Sequence, residues 1–186
     1  KAMEVAYRQR KTTHQGHEAA ECCRLMTFIC CTAAQRRKQG RDYTAQEILS
    51  CLERFESPIY SVQCLARSLN EEAHPTNAKL KLEDRRWNWK IAEFRYSETR
   101  AQQMPGYVGS YAMDATAAAL HCLWTTNSFR DAMIKVVNLR GDADSVGAVC
   151  GQMAGAIYGA SAIPKNWIRC IQQWDGGFTA LRAYKL

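Results

Sequence analysis

Residues 141–159 read Gly141-Asp142-Ala143-Asp144-Ser145-Val146-Gly147-Ala148-Val149-Cys150-Gly151-Gln152-Met153-Ala154-Gly155-Ala156-Ile157-Tyr158-Gly159. Glycines 147, 151, 155 and 159 recur in steps of four, so they line one ridge of a helix. Each interior glycine costs about 1 kcal/mol relative to alanine, and close backbone approach to a neighbouring helix is the expected compensation. The stretch predicts a tightly packed central helix beginning after Ser145. Its glycines carry no chemistry, but the turn ahead of them can. Asp142 and Asp144 lie at i and i+2 beside the Ser145 hydroxyl, and such hard oxygen ligands suit magnesium or manganese. The same residues also suit an ordinary N-cap, Asp144, and an ordinary turn residue, Asp142. Spacing alone does not choose between the two readings. A calcium EF-hand loop is excluded, because its fifth position would be Val146 and its twelfth Met153.

Upstream, His17 to Gln39 places Cys22, Met26, Ile29, Cys30 and Ala33 on one helical face and ends in Arg36, Arg37, Lys38 and Gly40. The three cations complement the dipole of that helix's C-terminus. Thr44 and Glu47 form a capping box ahead of Ile48, Leu49, Leu52 and Phe55. Ser57 and Pro58 supply an N-cap and a first-turn proline for a third helix ending near Asn70. Periodicity is lost from Glu71 to Gly109, where Arg85, Arg86, Trp87, Trp89, Phe94, Arg95 and Tyr96 cluster. Helical order resumes with Met113, Ala117, Leu120 and Trp124, and Ser128 opens another helix carrying Phe129, Met133, Val136 and Val137. No strand pattern appears, so the fold class is all-α.

The 186 residues, 47% hydrophobic, suffice for one domain with a sizeable core. The chain starts at Lys1 without an initiator methionine, and we read it as a fragment. No stretch approaches the roughly 20 apolar residues of a membrane span. Nine cysteines, an odd number without any CxxC spacing, read as small buried thiols of a reducing cytoplasm, and no zinc site is expected. A formal net charge of +7 permits an anionic partner without choosing one.

The acidic turn and glycine helix closely resemble the C-terminal metal motif of ADP-ribosylglycohydrolases. The resemblance extends back through Asn138-Leu139-Arg140, Asp131-Ala132-Met133, the loop Pro105-Gly106-Tyr107-Val108-Gly109-Ser110-Tyr111 and the turn Thr13-His14-Gln15-Gly16. It implies an orthogonal all-α bundle, with residues 1–186 as the C-terminal part of a single domain. It also implies two divalent ions, magnesium or manganese, beside the scissile glycosidic bond of an ADP-ribosylated protein or related ADP-ribose compound. Asp142, Asp144 and Ser145 match metal ligands, with serine standing where many members have threonine. His14, Tyr107 and Gly109 match residues lying against ADP-ribose. His14 also reads as a helix-entry residue, and Tyr107 as simple packing. The family's threonine followed by two aspartates, and its acidic residue near the scissile bond, have no counterpart here. No catalytic residue is assigned, and this chain alone is expected to be at best a weak hydrolase.

Two other readings compete. The interleaved cations and rings of Arg85, Arg86, Trp87, Trp89, Arg95 and Tyr96 resemble a single-stranded nucleic-acid surface, although no recognised module accompanies them. A non-catalytic ADP-ribose-binding relative would keep the fold without the reaction. His121 reads as a satisfied core histidine.

Overall fold

In the computed structural model, which describes residues 1–10, 12, 15–71, 85–94, 111–139 and 141–185, all regular structure is helical and no strand occurs among the described residues. The helices are α1 (Ala2–Arg10), α2 (His17–Lys38), α3 (Ala45–Ser50), α4 (Tyr60–Arg67), α5 (Ala112–Trp124), α6 (Phe129–Val137), α7 (Ala143–Tyr158), α8 (Lys165–Asp175) and α9 (Phe178–Lys185). Short 3-10 turns follow α3 at Cys51–Arg54 and α7 at Ala160–Ala162. The all-α expectation holds.

Helix α5 is the axis of the core. Eleven of its thirteen residues are buried, as befits a helix that is apolar nearly all round. It packs against α2, α3, α4, α6 and α7, while α7 also meets α2 and α6. Helix α2 buries Ala20, Cys22, Leu25, Ile29 and Ala33 on the expected stripe, with Met26 and Cys30 at its half-buried margin. All nine cysteines are free thiols, five of them buried, and burial pushes the Cys22 thiol up to about 12.

The capping box at α3 forms as expected. The Thr44 Oγ1 accepts from the Glu47 amide at 3.1 Å, and the Thr44 amide donates to Glu47 Oε2 at 2.8 Å. The expected Ser57 cap does not form, and Ile59 occupies the N-cap of α4 instead. The Ser57 hydroxyl donates to the buried Glu21 carboxylate at 2.7 Å, and the Ser57 amide donates to Gln63 at 2.8 Å. The Ser57 oxygen also accepts from the Ile59 amide at 3.2 Å, so its turn lies just ahead of the helix, which starts at Tyr60. The basic end of α2 also acts beyond its own dipole: Arg37 Nη2 donates to the Ile157 carbonyl of α7 at 2.9 Å, satisfying one of that helix's orphan acceptors.

Helix α7 starts at Ala143, two residues before Ser145 rather than after it, with Asp142 as N-cap. Its glycine ridge corrects a second expectation. A Cβ added at Gly147 would meet Val137 Cγ1 at 3.5 Å, and one at Gly151 would meet Met133 Cε at 3.7 Å. Among the described residues no backbone approaches either position closely, so the ridge accommodates side chains of α6. Gly155 faces open space, whereas Gly159 ends the helix at φ +86 with the Arg37 guanidinium 2.5 Å from where a Cβ would stand.

Helices α8 and α9 lie beyond the last helix anticipated from sequence. Neither has a buried residue, and Trp174 and Tyr184 are 93% and 90% exposed. The apolar stripe of α8 begins on the body, where the Trp167 ring sits 6.4 Å from that of Phe129, and runs outward through Ile171 and Trp174.

The contrast along the ridge predicts opposite outcomes for two alanine substitutions. Gly155→Ala gains helix propensity without a clash and should stabilise the fold by about 0.5–1 kcal/mol. Gly159→Ala meets both a left-handed backbone and Arg37, and should destabilise by about 1 kcal/mol or more. Thermal denaturation checks both signs, and equal shifts would mean the ridge is not organised this way.

Candidate functional site

The first turn of α7 carries Asp142, Asp144 and Ser145. The left-handed Gly141, at φ +71, turns the chain into the helix, and the Val146 amide closes the first turn on the Asp142 carbonyl at 3.0 Å. Asp142 is half-buried, and its side chain makes no capping hydrogen bond. Asp144 and Ser145 are exposed on the next positions. The purely structural alternative asked Asp144 to cap the helix; the cap falls on Asp142, and its carboxylate does not perform the task.

Two carboxylates and a hydroxyl therefore share one turn, with no hydrogen bond or ion pair to another described side chain. The helix N-terminus favours anions there, but two carboxylates this close in sequence repel each other. A hard divalent cation relieves that repulsion, and the donors are all oxygen, as magnesium and manganese require. The residues present fit such an ion as part of its ligand set. Three donors fall short of a full shell, and among the described residues no cluster of three histidine, cysteine or acidic side chains supplies the rest. The other three residues singled out from sequence, His14, Tyr107 and Gly109, lie outside the described residues.

A second polar centre went unread in the sequence. Glu18, in the first turn of α2, accepts from Ser61 at 2.5 Å, from Arg85 Nη2 at 2.6 Å and from the Tyr111 hydroxyl. Arg85 Nη1 in turn reaches the Tyr111 oxygen at 2.6 Å, and Arg85 Nε lies 2.9 Å from buried Glu71. Trp87 Nε1 donates to the same Glu71 oxygen at 2.8 Å. Burial opposes ionisation of Glu18, but the hydrogen bonds from Ser61, Tyr111 and Arg85 outweigh it and hold the carboxyl below its ordinary value. Burial and then the neighbouring Glu18 push the Tyr111 hydroxyl well above the usual phenol range.

The same centre removes the nucleic-acid reading of the tryptophan-rich stretch. Trp87 and Trp89 are 1% and 0% exposed, so neither ring is available for base stacking. Trp89 Nε1 donates to the Leu65 carbonyl at 2.6 Å, and Arg85 is committed to its two glutamates. Arg95 and Tyr96 lie outside the described residues. His121 is the core histidine expected, its Nδ1 2.8 Å from the Trp89 carbonyl and its ring against Phe94. Burial holds its pKa below the ordinary value.

Comparison with known proteins adds a family. The profile of the ADP-ribosylglycohydrolase family matches residues 1–184. An ADP-ribosylarginine hydrolase, Tri1, of Pseudomonas putida is 31% identical over 160 residues, covering 86% of this chain and 33% of the relative. An ADP-ribosyl-[dinitrogen reductase] glycohydrolase of Rhodospirillum rubrum is 40% identical over 63 residues, 34% of this chain and 21% of that protein. The ADP-ribosylhydrolase ARH3 of Bos taurus is 26% identical over 165 residues, 81% of this chain and 43% of that protein. The chain thus spans less than half the length of these relatives. No solved structure matches it significantly.

The Glu18 centre predicts a pH dependence. A depressed carboxyl stabilises the fold above its unfolded value near 4.5, and that contribution is lost as pH falls through the lower folded value. A raised phenol acts at the other end, its contribution lost as pH rises above 10. Glu18→Gln should flatten the fall of melting temperature below pH 4.5, and Tyr111→Phe the fall above pH 10. An unchanged acid limb in Glu18→Gln would exclude the glutamate as a contributor.

Proposed function

Because the chain belongs to the ADP-ribosylglycohydrolase family, we propose that it forms part of an enzyme that hydrolyses the glycosidic bond between ADP-ribose and a modified protein side chain or a related ADP-ribose compound. The match across residues 1–184 carries this reading, and the free oxygen donors at the start of α7 support it. The relatives are named for different linkages, to arginine and to dinitrogen reductase among them, and what they share is an ADP-ribosyl bond. That common bond is the substrate class proposed here.

In this reading Asp142, Asp144 and Ser145 hold a divalent ion, magnesium or manganese, at the head of α7. An ion held by these residues would supply positive charge beside the ribose of the substrate. The two carboxylates supply the anionic ligands and the hydroxyl a neutral one, while the α7 backbone fixes their spacing. Two divalent ions held close together repel strongly, so a second ion needs anionic donors beyond these three residues. His14, Tyr107 and Gly109 are assigned to the ADP-ribose moiety, the tyrosine ring for packing and the glycine for close backbone approach. We place residues 1–186 in the C-terminal part of the domain, with the cytoplasm as its compartment.

The test is calorimetric. The chain should bind magnesium, and Asp144→Asn should weaken that binding about tenfold or more, since even the groups behind metal ligands are worth 10–100-fold. Unchanged magnesium affinity in the variant would remove the acidic turn from the site. ADP-ribose release from ADP-ribosylated arginine should depend on added magnesium, and release unaffected by chelation would overturn the metal-dependent reading.

A further inference from the structure

Helices α8 and α9 are joined by a built corner. Asp175 accepts from the Gly177 amide at 2.8 Å and from the Thr179 amide at 2.9 Å, and Gly176 and Gly177 take left-handed backbone at φ +60 and +85. Those bonds satisfy amides at the start of α9. Neither helix buries a residue, although helices of 11 and 8 residues draw most of their stability from packing. The hairpin is ordered but uncovered.

On α8, Trp167, Cys170, Ile171 and Trp174 recur in steps of three and four and form one apolar stripe. The Trp167 ring meets Phe129 on the body, whereas Ile171 is half exposed and Trp174 stands almost wholly in solvent. Helix α9 adds Phe178 and Leu181, half exposed, and Tyr184, almost wholly exposed. With an aromatic side chain covering about 150–250 Å² on burial, these five leave on the order of 700 Å² of apolar surface open. Patches of that size mark interaction sites, and two of them face to face bury about 1,400 Å², the area of a stable interface.

The charges of α8 decide the occupant, because they run against the helix's own dipole. Lys165 stands in the first turn, Arg169 in the next and Asp175 in the last, the reverse of the order a macrodipole favours. An antiparallel copy of the same helix restores that order, setting its Asp175 and its C-terminal carbonyls beside Lys165 and Arg169, once on each side of the axis. One helix thus carries both halves of a self-complementary pattern, as a two-fold interface requires. Pairing Lys165 with the partner's Asp175 centres the axis beside Cys170, the only exposed cysteine of the nine. It also lays Trp174 of each copy on the start of the other's stripe.

We propose that two copies of the chain dimerise about a two-fold axis at the middle of α8, the apolar face of α8 and α9 on each copy covering that of the other.

The test is the solution mass of the chain, measured by light scattering across a dilution series. The mass should pass from monomer to dimer as concentration rises. Trp174→Ser should weaken association roughly thirtyfold or more, the loss typical of a buried aromatic anchor. Arg169→Glu sets like charges opposite each other and should weaken it about tenfold, two exposed ion pairs being lost per dimer. Both side chains are exposed in the single chain, so neither variant should lower the melting temperature of the monomer. A mild thiol oxidant should cross-link the concentrated wild type through Cys170, and Cys170→Ser should abolish the cross-link. A monomer at every concentration, a dimer indifferent to both Trp174→Ser and Arg169→Glu, or no cross-link at Cys170 would each overturn the proposal. Monomeric chain that binds vesicles of anionic phospholipid through Trp174 would overturn it too, and assign the face to a lipid surface.

Discussion

A helix that is apolar on nearly every side cannot lie on a surface, and α5 imposes that constraint on its neighbours. Its alanines at 115, 117, 118 and 119 are small enough to admit close neighbours, so α2, α6 and α7 gather around it. The polar residues it carries inward must then be satisfied inside the protein. Thr116 donates to the Ala112 carbonyl at 2.7 Å, and His121 meets the Trp89 carbonyl. The second of these pairings holds residues 85–94 against α5. The position of α7, and with it the acidic turn, follows from the same packing, since α7 rests on α5, α6 and α2 together.

Elements whose signals are local were legible in the sequence. The α3 capping box needs only Thr44 and Glu47, and the Ser128 cap of α6 accepts from the Asp131 amide at 3.0 Å within its own turn. Signals that depended on a distant partner misled. Ser57 carried every mark of an N-cap, but its oxygen accepts from the Ile59 amide one turn ahead of α4 while its hydroxyl donates to Glu21, thirty-six residues upstream. Trp87 and Trp89 looked like an exposed stacking surface because their partners, Glu71 and the Leu65 carbonyl, have no periodic relation to them. The glycine ridge announced a helix correctly and its reason incorrectly, since spacing identifies a face without identifying what lies opposite.

The candidate site divides along the same line. Asp142, Asp144 and Ser145 fall within four consecutive positions, and resemblance to the family motif singled them out as a unit where their spacing alone did not. Glu18, Ser61, Glu71, Arg85 and Tyr111 come from five separate parts of the chain, and no residue among them is unusual where it stands. Glu18 looks like an ordinary acid in a helix's first turn, complementing the dipole. Only assembly shows that its carboxylate gathers three donors, and that the arginine once counted with a nucleic-acid surface is spent on it.

The tryptophans give the protein an optical signature that follows from their burial. Trp87 and Trp89 sit in the core, Trp124 and Trp167 lie at its margin, and Trp174 on α8 stands 93% in solvent. An aqueous quencher such as iodide reaches the last indole freely and the first two hardly at all. Emission from the native chain is thus a sum of a blue-shifted, shielded population and a red-shifted, accessible one. The shielded part reports on the α5 core, and the accessible part on whatever approaches the end of α8.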